Sequence, residues 1–186
     1  SCVGRDGRCE PERILAVLRE IDADIIGLQE VGYRPARRPG GDQYAFFTST
    51  TGMHAVTGHH SGYARAEFGN LLLSRWPIAE QRIIDLTIRG SEPRGAIDAR
   101  IDIQGHPLRI MVAHLGLHPT ERWRQVNRLA DAVREESSAP VLLMGDFNIW
   151  GAERRLLGRL GASTRRRDHP ATFPARFPVL ALDRVW

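Results

Sequence analysis

Val141-Leu142-Leu143-Met144-Gly145-Asp146-Phe147-Asn148 is the stretch on which the reading of this chain turns. Four apolar residues between Pro140 and Gly145 describe an interior strand, because a short continuous apolar run bounded by turn signals belongs to a strand covered on both faces. The strand delivers a carboxylate and a carboxamide at its carboxyl end, where ligands bind in α/β folds. Side chains alternate along extended backbone, so Asp146 and Asn148 are expected on the same side. Taken alone, the tetrapeptide Gly145-Asp146-Phe147-Asn148 fits an Asx turn as well as a catalytic site.

Other acids and a histidine stand at comparable places. Pro11, with Ile14, Leu15, Val17, Leu18 and Ile21 at three- and four-residue spacing, predicts an amphipathic helix with proline in its first turn, covering a sheet. Asp24 to Gln29 follows as a buried strand closed by Glu30. Strands are predicted at Tyr44 to Thr48, Asn70 to Ser74, Ile78 to Leu86, Ala96 to Ile103 and Leu108 to His114, the last four as an antiparallel meander. Trp123, Val126, Leu129, Ala130 and Val133 form one stripe and predict a second covering helix between Thr120 and Arg134. A short helix containing Leu156, Leu157 and Leu160 should come after the Val141 strand, with Trp150 anchoring it. The chain closes with strand-like Val179 to Leu182 and Asp183 to Trp186. Gly52 to Gly62 has no clear period, and its His54, His59 and His60 read as exposed loop histidines, since no acid follows at ligand spacing.

Composition narrows the class. The 186 residues, 42% hydrophobic, suffice for one domain with a substantial core. No apolar run approaches the roughly 20 residues that cross a bilayer, and the opening lacks a basic stretch followed by an apolar segment. A cytoplasmic location is the expectation. The net charge is +4, yet all 26 basic residues are arginine, a bias that fits a GC-rich coding sequence better than a selected phosphate-binding face. Arg165-Arg166-Arg167 reads as a solvated loop. Cys2 and Cys9 are the only cysteines; without a CxxC spacing they do not suggest zinc, and free thiols are expected rather than a local disulfide.

Glu30, His114, Asp146 with Asn148, and Asp183 thus come from four separated strand ends or loops. Phosphate ester hydrolysis uses each of these types: carboxylate oxygen for a hard divalent cation, a base for water, and donors around the pentacovalent anion. The set resembles the endonuclease, exonuclease and phosphatase superfamily of metal-dependent phosphoesterases. Five segments carry the resemblance in order: Leu28-Gln29-Glu30-Val31, Gly69-Asn70-Leu71-Leu72-Leu73-Ser74-Arg75-Trp76-Pro77-Ile78, Val112-Ala113-His114-Leu115, Gly145-Asp146-Phe147-Asn148 and Leu182-Asp183-Arg184-Val185-Trp186.

The resemblance implies a four-layer αββα sandwich, an α/β (α+β) fold with two mixed, mostly antiparallel sheets face to face and helices outside. It implies Mg²⁺ or Mn²⁺ bound by Glu30, with Asp146 orienting or deprotonating water. Asn148 and His114 would hold the scissile phosphate, and Asp183 would orient a catalytic histidine. Arg94 and Asn70 are candidate substrate contacts. The substrate is a phosphate ester of open class: nucleic acid, phospholipid headgroup or small molecule. Two family pieces, an asparagine ending the first strand and a final aspartate–histidine motif, have no counterpart in residues 1–186. The chain is therefore expected to be the middle of a longer one of roughly 230 to 260 residues, near the upper single-domain range, with negligible turnover by itself. The competing reading is a non-catalytic binding module or inactive fragment that keeps the scaffold, with nucleic acid as a candidate ligand. Oligomeric state is left open.

Overall fold

In β5 (Gly95–Ile103) and β6 (His106–His114), alternate residues bury toward opposite faces. Ile97, Ala99, Ile101, Ile110 and Val112 belong to one core, Ala96, Met111 and Ala113 to another. A sheet apolar on both faces needs a layer on each, and the computed structural model supplies them. It describes residues 4, 6–32, 41–58, 68–135, 139–161 and 170–186.

One sheet has the order β1-β3-β2, built from β1 (Ile25–Gly32), β2 (His54–Gly58) and β3 (Phe68–Ser74), all antiparallel. The other runs β4-β5-β6-β7-β8, adding β4 (Ile78–Asp85), β7 (Val141–Asp146) and β8 (Asp183–Val185). Only β6 and β7 pair in parallel there, because α3 (Pro119–Glu135) connects them as a crossover. Val56 and Leu72 from the smaller sheet meet Ile97, Ile110 and Val112 between the sheets. Outside the smaller sheet, α1 (Pro11–Ile21) and α2 (Gln43–Thr51) bury Leu15, Tyr44 and Phe47 on Leu71 and Leu73. Outside the larger one, α3, a 3-10 segment (Gly151–Leu157) and α4 (Gly158–Gly161) bury Val126, Leu129, Leu157 and Leu160. The layers are αββα, as expected.

Several local expectations are corrected. Tyr44 to Thr48 is not a strand but part of α2: the Asp42 carboxylate accepts the Ala45 N–H at 3.1 Å, Gly52 closes the helix in the left-handed region, and Tyr44 and Phe47, three apart, share its buried face. The aperiodic Gly52–Gly62 stretch contains β2, whose pattern is hidden because only Val56 and Gly58 are buried. Of the four meander strands, β4, β5 and β6 are neighbours, whereas β3 lies in the other sheet. Val179 to Leu182 is not strand; Leu180 instead bridges to Phe173 in an exposed hairpin. Trp123, expected in the covered stripe of α3, and Trp150, expected to anchor the following helix, are 48% and 57% exposed. Cys9 is disulfide-bonded rather than a free thiol. Cys2, His59, His60, Arg165, Arg166, Arg167 and His169 lie outside the described residues.

Candidate active site

Glu30 owes its position to an irregularity. Leu28 pairs with Leu71 and Val31 with Gly69, so Gln29 and Glu30 together oppose Asn70 in a β-bulge. Glu30 takes φ +54°, a left-handed conformation that costs a glutamate roughly 1–3 kcal/mol and is held by surrounding structure, as at many functional sites. The same register sets Asn70 opposite it. Asn70 is buried and bridges the sheets, donating from Nδ2 to the carbonyls of Gly95 (2.8 Å) and Val112 (3.3 Å).

Across the gap, sheet register builds a row. Parallel pairing of β6 and β7 matches His114 to Asp146, and antiparallel pairing of β7 and β8 matches Asp146 to Asp183. His114 Nε2 lies 3.9 Å from Asp146 Oδ2, too far for a direct hydrogen bond. The row depends on Gly145. At φ +145° a Cβ there would stand 1.8 Å from the Ala113 carbonyl oxygen, so no larger residue fits. Beyond the strand, Asn148 turns to φ +50°. Its backbone N–H donates to Asp146 Oδ1 at 2.9 Å and its Nδ2 to the Leu115 carbonyl at 2.9 Å. The Asx turn and the functional placement are thus one geometry, in which the turn fixes the Asp146 carboxylate.

A buried polar cluster holds the loop after His114. The Gly116 N–H donates to Gln125 Oε1 at 2.8 Å, while Gln125 Nε2 donates to the Leu86 carbonyl at 3.2 Å and Glu121 Oε1 at 3.0 Å. Arg122 donates to the carbonyls of Gly116 and Leu117 and to Glu153. Sequence reading missed this set, because the polar residues sit within the apolar stripe of α3 and leave no periodic signal.

Glu30, Asn70, Arg94 and His114 line one cavity of about 150 Å³ between the sheet ends, together with Glu92 and Gly95. Four of the seven expected site residues therefore converge there. Asp146 is paired beside His114 and leads into Asn148, and Asp183 is exposed at the end of the row; none of the three is among the residues lining that cavity. Arg94 is 12% exposed and donates to Glu92 Oε2 at 2.8 Å, while its buried Nε has no partner among the described residues. Burial, reinforced by Arg94, pulls the His114 imidazole down to about 4, so it is neutral near pH 7. Burial raises the Asp146 carboxyl above its ordinary value; Asp183 and Glu30 push the same way, against the Asn148 N–H and Arg94.

Among the described residues, no three His, Cys, Asp or Glu side chains gather as a metal cluster. Mg²⁺ does not require one: it keeps several waters and takes one or two carboxylates plus substrate phosphate. Glu30 on the cavity wall, with the Asp146 carboxylate whose pKa is raised first by burial and then by the charges of Asp183 and Glu30, fits a hard cation of that kind.

YbhP of Escherichia coli K12, an uncharacterized protein, is 35% identical over 185 residues, covering 91% of this chain and 73% of that protein. A functionally unknown protein of Enterococcus faecalis has the same fold, at TM-score 0.76 and 16% identity over 94% of this chain and 77% of its own. So does a mannosyl-6-phosphatase of Bacteroides thetaiotaomicron, at TM-score 0.74 and 14% identity over 94% of this chain and 74% of its own. With the family model matching residues 4–186, the two sheets, the bulged Glu30 and the His114–Asp146–Asp183 row are those of a chain that belongs to the Endonuclease/Exonuclease/phosphatase family.

Proposed function

We propose that this protein is a divalent-metal-dependent phosphoester hydrolase whose scissile phosphoryl group enters the cavity bounded by Glu30, Asn70, Arg94 and His114. The observation that carries the reading is the convergence of a bulge-strained carboxylate from one sheet and a register-aligned His–Asp–Asp row from the other. Membership of a family of phosphoesterases supports the reaction class.

Glu30 would hold Mg²⁺ or Mn²⁺, which when bound would neutralise developing phosphoryl charge. Asp146 has its Oδ1 occupied by the Asn148 N–H, which fixes the carboxylate to receive a proton from water or to orient it. Its raised pKa brings its basicity closer to that of a useful general base. His114, neutral near pH 7, would donate one N–H to a phosphoryl oxygen without adding positive charge beside the cation. Asn148 Nδ2 spends one hydrogen on Leu115 and keeps the other for the same anion. Arg94, next to β5 and lining the same cavity, adds a cation. Asp183 would orient a histidine, as the resemblance implies; no hydrogen bond joins it to one among the described residues, where its backbone N–H meets Thr172 Oγ1 at 3.4 Å.

The residues are read as one domain, since the three cores share sheets. A disulfide at Cys9 is stable in oxidising surroundings, which favours such a compartment over the cytosol.

Hydrolysis of bis(p-nitrophenyl) phosphate by the full-length protein with Mg²⁺ and Mn²⁺ tests the reading. EDTA should abolish turnover, Glu30→Gln should raise the metal concentration needed, and Asp146→Ala should lower kcat by roughly 10²–10⁴. Activity indifferent to EDTA, or an Asp146→Ala rate equal to wild type, rejects it in favour of a non-catalytic scaffold.

A further inference from the structure

The α3 layer carries a feature that the candidate active site does not use. Between the first turns of α3 and the 3-10 segment runs an open groove of about 580 Å³, floored by Pro119, Trp123, Ala152 and Leu156 and edged by Arg124 and Arg155. Trp123 is 48% exposed, and the loops entering these two elements add Leu117 at 73% and Trp150 at 57%. Those are the loops that leave His114 and Asn148, so the patch begins at the active-site end of the larger sheet.

Exposed charge on this face is mainly basic, Glu153 being the carboxylate that lines the groove. Arg124, Arg155 and Arg159 are exposed, and the Arg159 guanidinium lies 5.8 Å from the Trp123 ring centre. Among the described residues of 115–130 and 147–160, the only carboxylates are Glu121, buried and bonded to Gln125, and Glu153, bonded to Arg122. Indole rings beside arginines favour a boundary that is apolar on one side and anionic on the other.

We propose that this face docks on an anionic lipid bilayer. Trp123, Trp150 and Leu117 enter the headgroup boundary, the groove accommodates acyl chain, and Arg124, Arg155 and Arg159 engage lipid phosphates. A nucleic acid could use the arginines and indoles but fits less well as a whole, because Leu117 and the Pro119–Leu156 floor offer it neither donor nor stacking face. The docking goes beyond the hydrolytic reading and does not depend on it.

Co-sedimentation of the protein, in EDTA, with vesicles of phosphatidylcholine alone or with one third phosphatidylglycerol tests the docking without catalysis. Binding is expected to the anionic vesicles only, to weaken with salt, and to shift tryptophan emission to the blue. Each arginine near an anionic surface contributes roughly fivefold, so R124Q/R155Q/R159Q should bind about 100-fold more weakly. Trp123→Ala/Trp150→Ala should lose binding and the emission shift while keeping the wild-type melting temperature. Both variants should hydrolyse bis(p-nitrophenyl) phosphate at the wild-type rate, and loss of activity in all forms with vesicle binding intact would strike only the hydrolytic reading. Three results overturn the docking: equal affinity for neutral vesicles, no vesicle binding, or single-stranded DNA binding that these substitutions weaken while vesicle binding is unmoved.

Discussion

Gly145 shows how narrowly a single position is constrained. Adding one methyl group places carbon against the Ala113 carbonyl oxygen, at a φ that L side chains rarely adopt. Neither strain relaxes without separating β6 from β7. Gly145→Ala is expected to cost at least about 3 kcal/mol, read as a lower urea midpoint, and to misplace Asp146. His114 makes a prediction of opposite kind. Its folded pKa, about 4, lies below the ordinary 6.5, so between those values the unfolded chain binds more protons than the native one. The stabilisation is complete above pH 6.5 and disappears as pH falls toward 4, by up to about 3 kcal/mol. Urea titrations from pH 7 to pH 4 should show that decline in wild type and a flatter profile in His114→Gln.

At the scale of elements, the pairing of β4, β5 and β6 is pinned on its helix-facing side by a buried ion pair. Arg109 donates from Nε to Asp98 Oδ1 at 2.7 Å, from Nη2 to Asp98 Oδ2 at 2.8 Å, and to the Ala132 carbonyl on α3 at 2.9 Å. Burial alone would raise the Asp98 carboxyl, but bonds from Arg109 and the β4 residue Arg82 outweigh it and hold it low. Every strong donor of the bidentate face is matched, so one truncation leaves a guanidinium charge without its partner. Asp98→Ala is expected to lose about 3–5 kcal/mol, measured by chemical denaturation, and to loosen α3 over the strand that carries His114. The same helix organises the loop after His114 through Gln125 and Arg122. Helix α2 shows why propensity misleads here: Tyr44, Phe46 and Phe47 are aromatic residues common in strands, yet the Asp42 cap and the need to cover Leu71 and Leu73 made this segment helical.

For the molecule as a whole, the site exists only because two sheets meet. Asn70 on the smaller sheet reaches the Gly95 and Val112 carbonyls of the larger one, and so fixes the gap in which the cavity opens. Asn70→Ala would remove the amide that donates to both carbonyls, at a cost of about 1–3 kcal/mol. Thermal unfolding should show the loss as a fall in Tm of roughly 3–10 °C.

Much of this was legible in the residues. Val141 to Met144, a short apolar run between Pro140 and Gly145, read as an interior strand, and it forms β7 between β6 and β8. The order of Glu30, Asn70, His114, Asp146, Asn148 and Asp183 along the chain carried the resemblance to the family to which the chain belongs. Apolar runs between turn signals also placed β5 and β6, and three- and four-residue spacing placed α1 and α3. What only the tertiary structure decided was proximity: that a two-residue bulge swings Glu30 toward His114, that Arg94 joins the cavity while Asp183 stays at its margin, and that Trp123 and Trp150 face outward. Local sequence encodes the period and hydrophobicity of each element, whereas register, bulges and the exposed side of a helix are settled by long-range pairing and by which surfaces remain to be covered.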